Sequence, residues 1–128
     1  MPTYDASHYF PPAPVAHVTL RDINSAAVIP NVILLIDTGA DITLLPRSAT
    51  EKLGLKPLSG QEYQLRGFDG TPRVVEGVEL DMIFLRKAFR GRYLLIDGEH
   101  GVLGRDVLST FVLLFDGPKN EWSEVEVK

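Results

Sequence analysis

The feature that most constrains the fold is a run of five apolar residues, Val32–Ile36, that ends in Asp37-Thr38-Gly39. An unbroken branched and aliphatic run of this length, flanked by turn-forming residues, is typical of a strand buried on both faces. A carboxylate directly after such a strand is costly to desolvate unless it is paired or used. Gly39 permits a tight turn, and the Thr38 hydroxyl can donate and accept within it. The segment therefore predicts a carboxylate held with little freedom at the floor of a cleft.

Length and composition limit the class of protein to which this carboxylate can belong. The chain has 128 residues, enough for one domain, with 45% hydrophobic and 23% charged residues and a net charge of −4. No basic patch stands out, so neither nucleic acid nor an anionic membrane is expected as a partner. The absence of cysteine excludes disulfides, thiolate metal sites and a cysteine nucleophile. No apolar run could span a bilayer and no signal peptide is visible, so we expect a cytoplasmic protein.

The chain divides into an N-terminal arm, residues 1–14, and one mostly-β domain, residues 15–128. The arm is rich in proline and aromatic residues, which favours an extended segment that is either disordered or docked. The one clear helix begins near Ser48, which could cap it, and ends at Gly54. We expect a basic hairpin end around Gly91. A short second helix is predicted at Asp106–Ser109. The predicted strands are Val15–Leu20, Val32–Ile36, Ile42–Leu45, Gln61–Arg66, Arg73–Val78, Val78–Leu85, Arg92–Ile96, Phe111–Phe115 and Trp122–Val127.

Two further segments decide how the Asp-Thr-Gly turn is interpreted, because alone it is also ordinary turn chemistry. The first is a predicted hairpin with a glycine-rich tip over residues 67–72. The second, residues 101–108, reads Gly-Val-Leu-Gly-Arg-Asp-Val-Leu, a short apolar strand broken by a glycine and followed by a cation. The three segments together resemble the retropepsin family of aspartic proteases in order and spacing. The resemblance covers about residues 15–127 and implies an all-β acid-protease barrel with one or two short helices, acting as a homodimer.

The resemblance implies roles for individual residues around the turn. Asp37 corresponds to the catalytic aspartate, Thr38 to the threonine that interlocks with its symmetry mate, and Gly39 to the glycine whose carbonyl faces bound peptide. Asp41 matches the carboxylate that pairs with Arg105. We expect this pair to be buried and structural, so that loss of one partner costs about 3–5 kcal/mol.

The resemblance also implies a substrate cleft. Ala40, Asp41 and Val102 would line it, and the hairpin tip Gly67-Phe68-Asp69-Gly70 would form the flap above it. The tip departs from the family pattern, because retroviral enzymes usually place small apolar residues where Phe68 and Asp69 stand here. The chain after residue 108 is also longer than a retroviral tail and looks more like that of stand-alone prokaryotic members.

The function that this resemblance implies is an aspartic endopeptidase that acts on an extended peptide or protein substrate and uses no cofactor. The chain carries one Asp-Thr-Gly, so the second carboxylate must come from a second copy, Asp37′; Asp97 is interpreted as loop-forming. His8, His17 and His100 lack metal-ligand spacing, and no metal site is predicted. The alternative is a catalytically weak or inactive retropepsin-like module for dimerisation or peptide binding, an interpretation that the atypical hairpin tip favours.

Overall fold

The computed structural model describes residues 2–58, 62–66 and 72–126, without the side chains of 62–66 and 72–75. Strands dominate it, and there are two short helices. In chain order the elements are β1 Tyr4–Asp5, β2 Ala13–Arg21, β3 Val28–Ile36, β4 Leu44–Pro46, α1 Arg47–Lys52, β5 Glu62–Arg66, β6 Pro72–Phe84, β7 Lys87–Ile96, β8 Gly101–Leu103, α2 Arg105–Leu108, β9 Leu113–Asp116 and β10 Glu121–Glu124.

Six strands close into a barrel in the order β2-β3-β8-β4-β7-β6, and β6 pairs back onto β2. Most neighbours are antiparallel, but β8 runs parallel to β3 and β4 runs parallel to β7. Closure leaves β3 and β8 side by side, so the chain that leaves β3 lies next to the chain that leaves β8. The all-β barrel predicted from the sequence is confirmed.

The barrel core comes from alternate residues of its strands, as a period of two requires. Val18 and Leu20 of β2, Leu34 of β3, and Leu80 and Met82 of β6 are fully buried. The expectation that the apolar run in β3 is buried on both faces was wrong. Its burial alternates, with every second side chain only partly covered, because the outer face of a barrel strand has no second layer packed over it.

The connections correct three details of the sequence interpretation. Helix α1 begins at Arg47 after Pro46, and no side chain caps it, so Ser48 lies inside the helix. The tight turn between β6 and β7 falls at Leu85-Arg86, both with positive φ, and Gly91 pairs within β7. A two-residue turn with positive φ at both positions matches the twist of a hairpin, so the basic hairpin end lies at Arg86 and not around Gly91. Helix α2 begins at Arg105, one residue earlier than predicted.

Near both termini, the described residues lie on the barrel. Strand β1 pairs with the start of β2, and the Tyr4 amide donates to the Asn120 carbonyl at 2.8 Å. Strands β9 and β10 form a separate two-stranded sheet whose Trp122 indole is buried and donates to the Val15 carbonyl at 3.0 Å. The arm and the C-terminal hairpin therefore share a hydrogen-bonded seam. Among the described residues, no helix is long and apolar enough to cross a membrane.

Candidate active site

Asp37 follows the last residue of β3, at the edge where β3 and β8 end together. Its amide donates to the Leu103 carbonyl at 3.1 Å, which continues the β3–β8 pairing by one residue. The Gly39 amide donates to Asp37 Oδ1 at 2.9 Å, and the Ala40 amide donates to the Asp37 carbonyl at 3.1 Å. One carboxylate oxygen is therefore fixed by the turn that follows the strand. The side chain is only partly buried, so solvent or a ligand can reach it.

Arg105, at the start of α2, donates three hydrogen bonds to the Asp37–Asp41 turn. Its backbone amide donates to the Ala40 carbonyl at 2.9 Å, and its Nη1 donates to the Thr38 carbonyl at 2.6 Å. Its Nη2 donates to Asp41 Oδ1. The structure thus brings together the two segments that the sequence predicts to meet. The multiple contacts orient the backbone on both sides of Gly39.

The Asp41–Arg105 pair is exposed, and the expectation of a buried pair was wrong for the single chain. The Asp41 side chain is 83% exposed and the Arg105 side chain is 48% exposed. The turn projects from the end of the barrel, so water covers most of both charged groups. Exposed pairs contribute roughly 0–1 kcal/mol. This pair therefore positions the turn and adds little stability to the isolated chain.

Thr43 and Asp106 form a second connection that sequence reasoning missed. The Thr43 hydroxyl donates to Asp106 Oδ1 at 2.7 Å, and the Thr43 amide donates to Oδ2 at 3.0 Å. The same hydroxyl accepts from the Gly104 amide at 3.1 Å, and Thr43 is only 1% exposed. The sequence signal that could have drawn attention to Asp106 was its position directly after Gly104-Arg105. The two residues are 63 positions apart, so only the closed barrel shows the partner.

Gly104 and Gly101 are required by close backbone approach. A Cβ on Gly104 would lie 2.6 Å from the carbonyl carbon and oxygen of Ile42, and one on Gly101 would lie 2.1 Å from the Leu44 carbonyl oxygen. Real Cβ contacts do not occur at such distances, so only glycine fits without a backbone shift. Both glycines let the β8–α2 segment pass directly beneath the chain that follows the Asp-Thr-Gly turn.

The remaining predicted site residues are placed as follows. Val102 lies in β8, partly exposed, opposite Leu35 and Leu44. Asp97 lies in the loop after β7 with a 95% exposed side chain that accepts from Arg47 at 3.3 Å. The hairpin tip Gly67–Gly70 lies outside the described residues. The strands that carry it, β5 and β6, are paired up to Arg66 and Pro72.

Together these features define a class of protein. A closed six-stranded barrel presents one Asp-Thr-Gly turn, supported by a Gly-Arg-Asp segment at the start of a short helix, and this is the arrangement of a retropepsin-like aspartic protease. The family model described as aspartyl protease matches residues 17–107. That match spans well over half of the chain, and the protein belongs to the aspartyl protease family.

The comparison with solved structures agrees with this assignment. The EIAV protease complexed with the inhibitor HBY-793 is similar at 25% sequence identity and a TM-score of 0.55, over 77% of this chain and 86% of that one. No curated protein sequence matches this chain. The family and the fold are therefore supported by two comparisons that rest on different information, sequence in one and backbone geometry in the other.

Proposed function

We propose that the protein is an aspartic endopeptidase in which Asp37 and Asp37′ of a second copy form the catalytic pair. The observation that carries this proposal is the placement of Asp37, a partly exposed carboxylate directly after β3, with one oxygen held by the Gly39 amide. Residues 15–128 would form the catalytic domain. A protease complexed with an inhibitor as a structural neighbour supports the same activity.

The chemistry requires two carboxyl groups, and the chain has one Asp-Thr-Gly. One carboxyl, protonated, donates to the scissile carbonyl oxygen, while the other, ionised, takes a proton from water as that water attacks the carbonyl carbon. The proton then passes to the leaving amine as the C–N bond breaks. Like charges a few Å apart do not both ionise, so the pair shares one proton. An isologous two-fold dimer brings the two copies of Asp37 together.

The other turn residues would position substrate and partner. Thr38 is exposed and would meet its mate across the two-fold axis, whereas Gly39 would present its carbonyl to an extended peptide. Ala40, Asp41 and Val102 would line the peptide cleft, and Arg105 would keep the turn in place through the contacts described above. Peptide binding by main-chain hydrogen bonds fits a site built on strand ends.

The C-terminal hairpin offers apolar surface for dimerisation. Val112, Leu114, Phe115 and Val125 are each between 41% and 57% exposed in the single chain. Four apolar side chains left about half exposed on and beside one hairpin favour a contact surface. This exposed apolar surface supports a homodimer.

The decisive experiment mixes active and inactive subunits. Wild-type protein and Asp37→Asn are combined at constant total concentration, left to exchange, and assayed with a mixed peptide library at about pH 4–7, with and without a pepstatin-like inhibitor. If each site needs two aspartates, an equal mixture retains about one quarter of the wild-type activity. If each chain carries a complete site, it retains about one half.

The matched control is Asp97→Asn, which changes the nearest internal echo of the motif, Ile96-Asp97-Gly98. We expect it to retain wild-type activity and to leave the mixing curve unchanged. Sedimentation of each variant establishes that the dimer persists. Substantial hydrolysis by Asp37→Asn alone would refute the mechanism. Peptide binding without cleavage by the wild-type dimer would favour the dimerisation or peptide-binding module instead.

A further inference from the structure

Asp5, His8 and His100 meet on the barrel surface although they come from opposite ends of the chain. Asp5 and His8 belong to the N-terminal arm, and His100 directly precedes β8. Each residue offers a ligand atom, and these atoms all lie within 4.8 Å of one another. The rings of His8 and His100 have centroids 4.3 Å apart. The sequence spacing of these histidines gave no sign of this cluster, because the fold closes a loop of more than 90 residues.

Backbone hydrogen bonds hold the carboxylate of Asp5 in place beside His8. The Asp5 side chain is 11% exposed, and Oδ1 accepts from the amides of Ser7 at 2.7 Å and His8 at 3.0 Å. These amide hydrogen bonds fix one carboxylate oxygen. The other oxygen of Asp5, Oδ2, is directed at His8 Nδ1, 2.9 Å away.

Tyr9 orients the second imidazole. Its hydroxyl lies 3.2 Å from His100 Nδ1. When His100 carries its proton on Nδ1, it donates to the phenol oxygen and Nε2 presents a lone pair. A partner on the other ring nitrogen is what metal-binding histidines generally have, because it fixes the tautomer and the ring orientation.

We propose that Asp5, His8 and His100 bind one divalent transition-metal ion, with Zn²⁺ as the best match. Two imidazoles and one carboxylate are a ligand set that suits Zn²⁺, and no thiolate is needed. Ligand atoms around a tetrahedral ion with bonds near 2.0–2.1 Å lie about 3.3 Å apart. The Asp5–His8 pair at 2.9 Å must open by only a few tenths of an ångström, while His100 must move closer.

Space for a further ligand is present at the same place. A cavity of 330 Å³ is lined by His8, Glu99 and His100 among other residues, so water or a ligand can complete the coordination. Glu99 Oε2 lies 3.9 Å from His8 Nε2, the ring nitrogen that does not face Asp5, and its 88% exposed side chain is placed to orient this imidazole from the other side. The bound ion would clamp the N-terminal arm to the loop between β7 and β8. This proposal is independent of whether the protein cleaves peptides.

The test is a Zn²⁺ titration of the full chain without a histidine tag, by calorimetry, with Co²⁺ as a spectroscopic probe. The wild type should bind one ion per chain, gain the strong visible absorption of tetrahedral Co²⁺, and show a Tm raised by several degrees with Zn²⁺. His8→Ala and His100→Ala should each weaken binding by at least about tenfold. Asp5→Asn, which keeps the side-chain shape, should also weaken it.

His17→Ala is the matched control, because His17 is the remaining histidine of the chain, is exposed on β2 and lies outside the cluster. It should bind Zn²⁺ with wild-type affinity. Circular dichroism of each variant without metal confirms that folding is intact, and His100→Gln replaces His100→Ala if the alanine variant unfolds. Failure of the wild type to bind a stoichiometric ion would overturn the proposal. So would binding that survives both cluster substitutions or is lost in the His17 variant.

Discussion

Asp81 joins three strands where the barrel closes, and its removal tests how closure is stabilised. It lies in β6 directly opposite Arg21 of β2 and Arg90 of β7. Arg90 donates to it at 2.9 and 3.1 Å, and Arg21 donates at 3.0 and 3.3 Å. The Asp81 side chain is 3% exposed although it faces outward, because the two arginine side chains cover it. A carboxylate so enclosed must be ionised to satisfy both guanidinium groups.

The stabilisation that ionised Asp81 contributes follows from its pKa. Hydrogen bonds from Arg90, opposed by burial and supported by those from Arg21, lower this pKa from 3.8 to about 2. Because the folded-state pKa is depressed, the stabilisation is complete above the unfolded pKa and is lost as the pH falls through the folded one. Each pKa unit corresponds to about 1.4 kcal/mol, so the ionised form contributes about 2 kcal/mol at neutral pH. The loss should run from about pH 4 to below pH 2.

Asp81→Asn should therefore lower the free energy of unfolding by about 2 kcal/mol at pH 7 and by under about 1 kcal/mol at pH 2.5. Urea denaturation across this pH range measures both values. Glu79→Gln is the matched control: Glu79 lies two residues away on the same strand face, is half exposed, and lies 3.8 Å from Arg92. A change of under about 1 kcal/mol is expected there. An Asp81→Asn effect that stays constant with pH, or one no larger than the control, would refute the reasoning.

Three substitutions around the active-site turn test its supports. Thr43→Val should cost about 1–3 kcal/mol of stability, because it strands buried hydrogen-bonding groups, and Thr43→Ser should restore much of the loss in the same denaturation assay. Gly104→Ala should cost about 1–3 kcal/mol by backbone overlap, whereas Gly117→Ala, where a Cβ meets nothing within 4 Å, should be close to neutral; equal effects would contradict the steric argument. Arg105→Ala should lower the stability of the single chain by under about 1 kcal/mol but reduce peptide hydrolysis severely, because the turn loses its support. A fully active Arg105→Ala dimer would show that the contacts to Thr38 and Asp41 are dispensable.

The sequence was most informative where local chemistry and periodicity coincide. The apolar run before Asp37, the glycine-rich hairpin tip over residues 67–72 and the Gly-Arg-Asp segment carried the resemblance to the retropepsin family, and that resemblance implied a barrel with one Asp-Thr-Gly turn. The sequence did not predict which charged groups are exposed to solvent. The Asp41–Arg105 pair is formed as expected, but its exposure depends on how far the turn projects from the barrel, and no residue pattern encodes that. The Leu85-Arg86 turn was missed because neither residue is a usual turn former with positive φ.

The sequence by itself determined the fold class, the family and the identity of the candidate catalytic carboxylate, because three short segments, each local in the chain, occur in the order and spacing of a known family. Only the tertiary structure decided which distant groups meet. Barrel closure places Thr43 against Asp106 and brings His100 to the arm residues Asp5 and His8. These contacts join residues 63 to 95 positions apart, and such pairing is set by strand order and register, which act over the whole chain. Local patterns specify the strands, and only their packing specifies the sites between them.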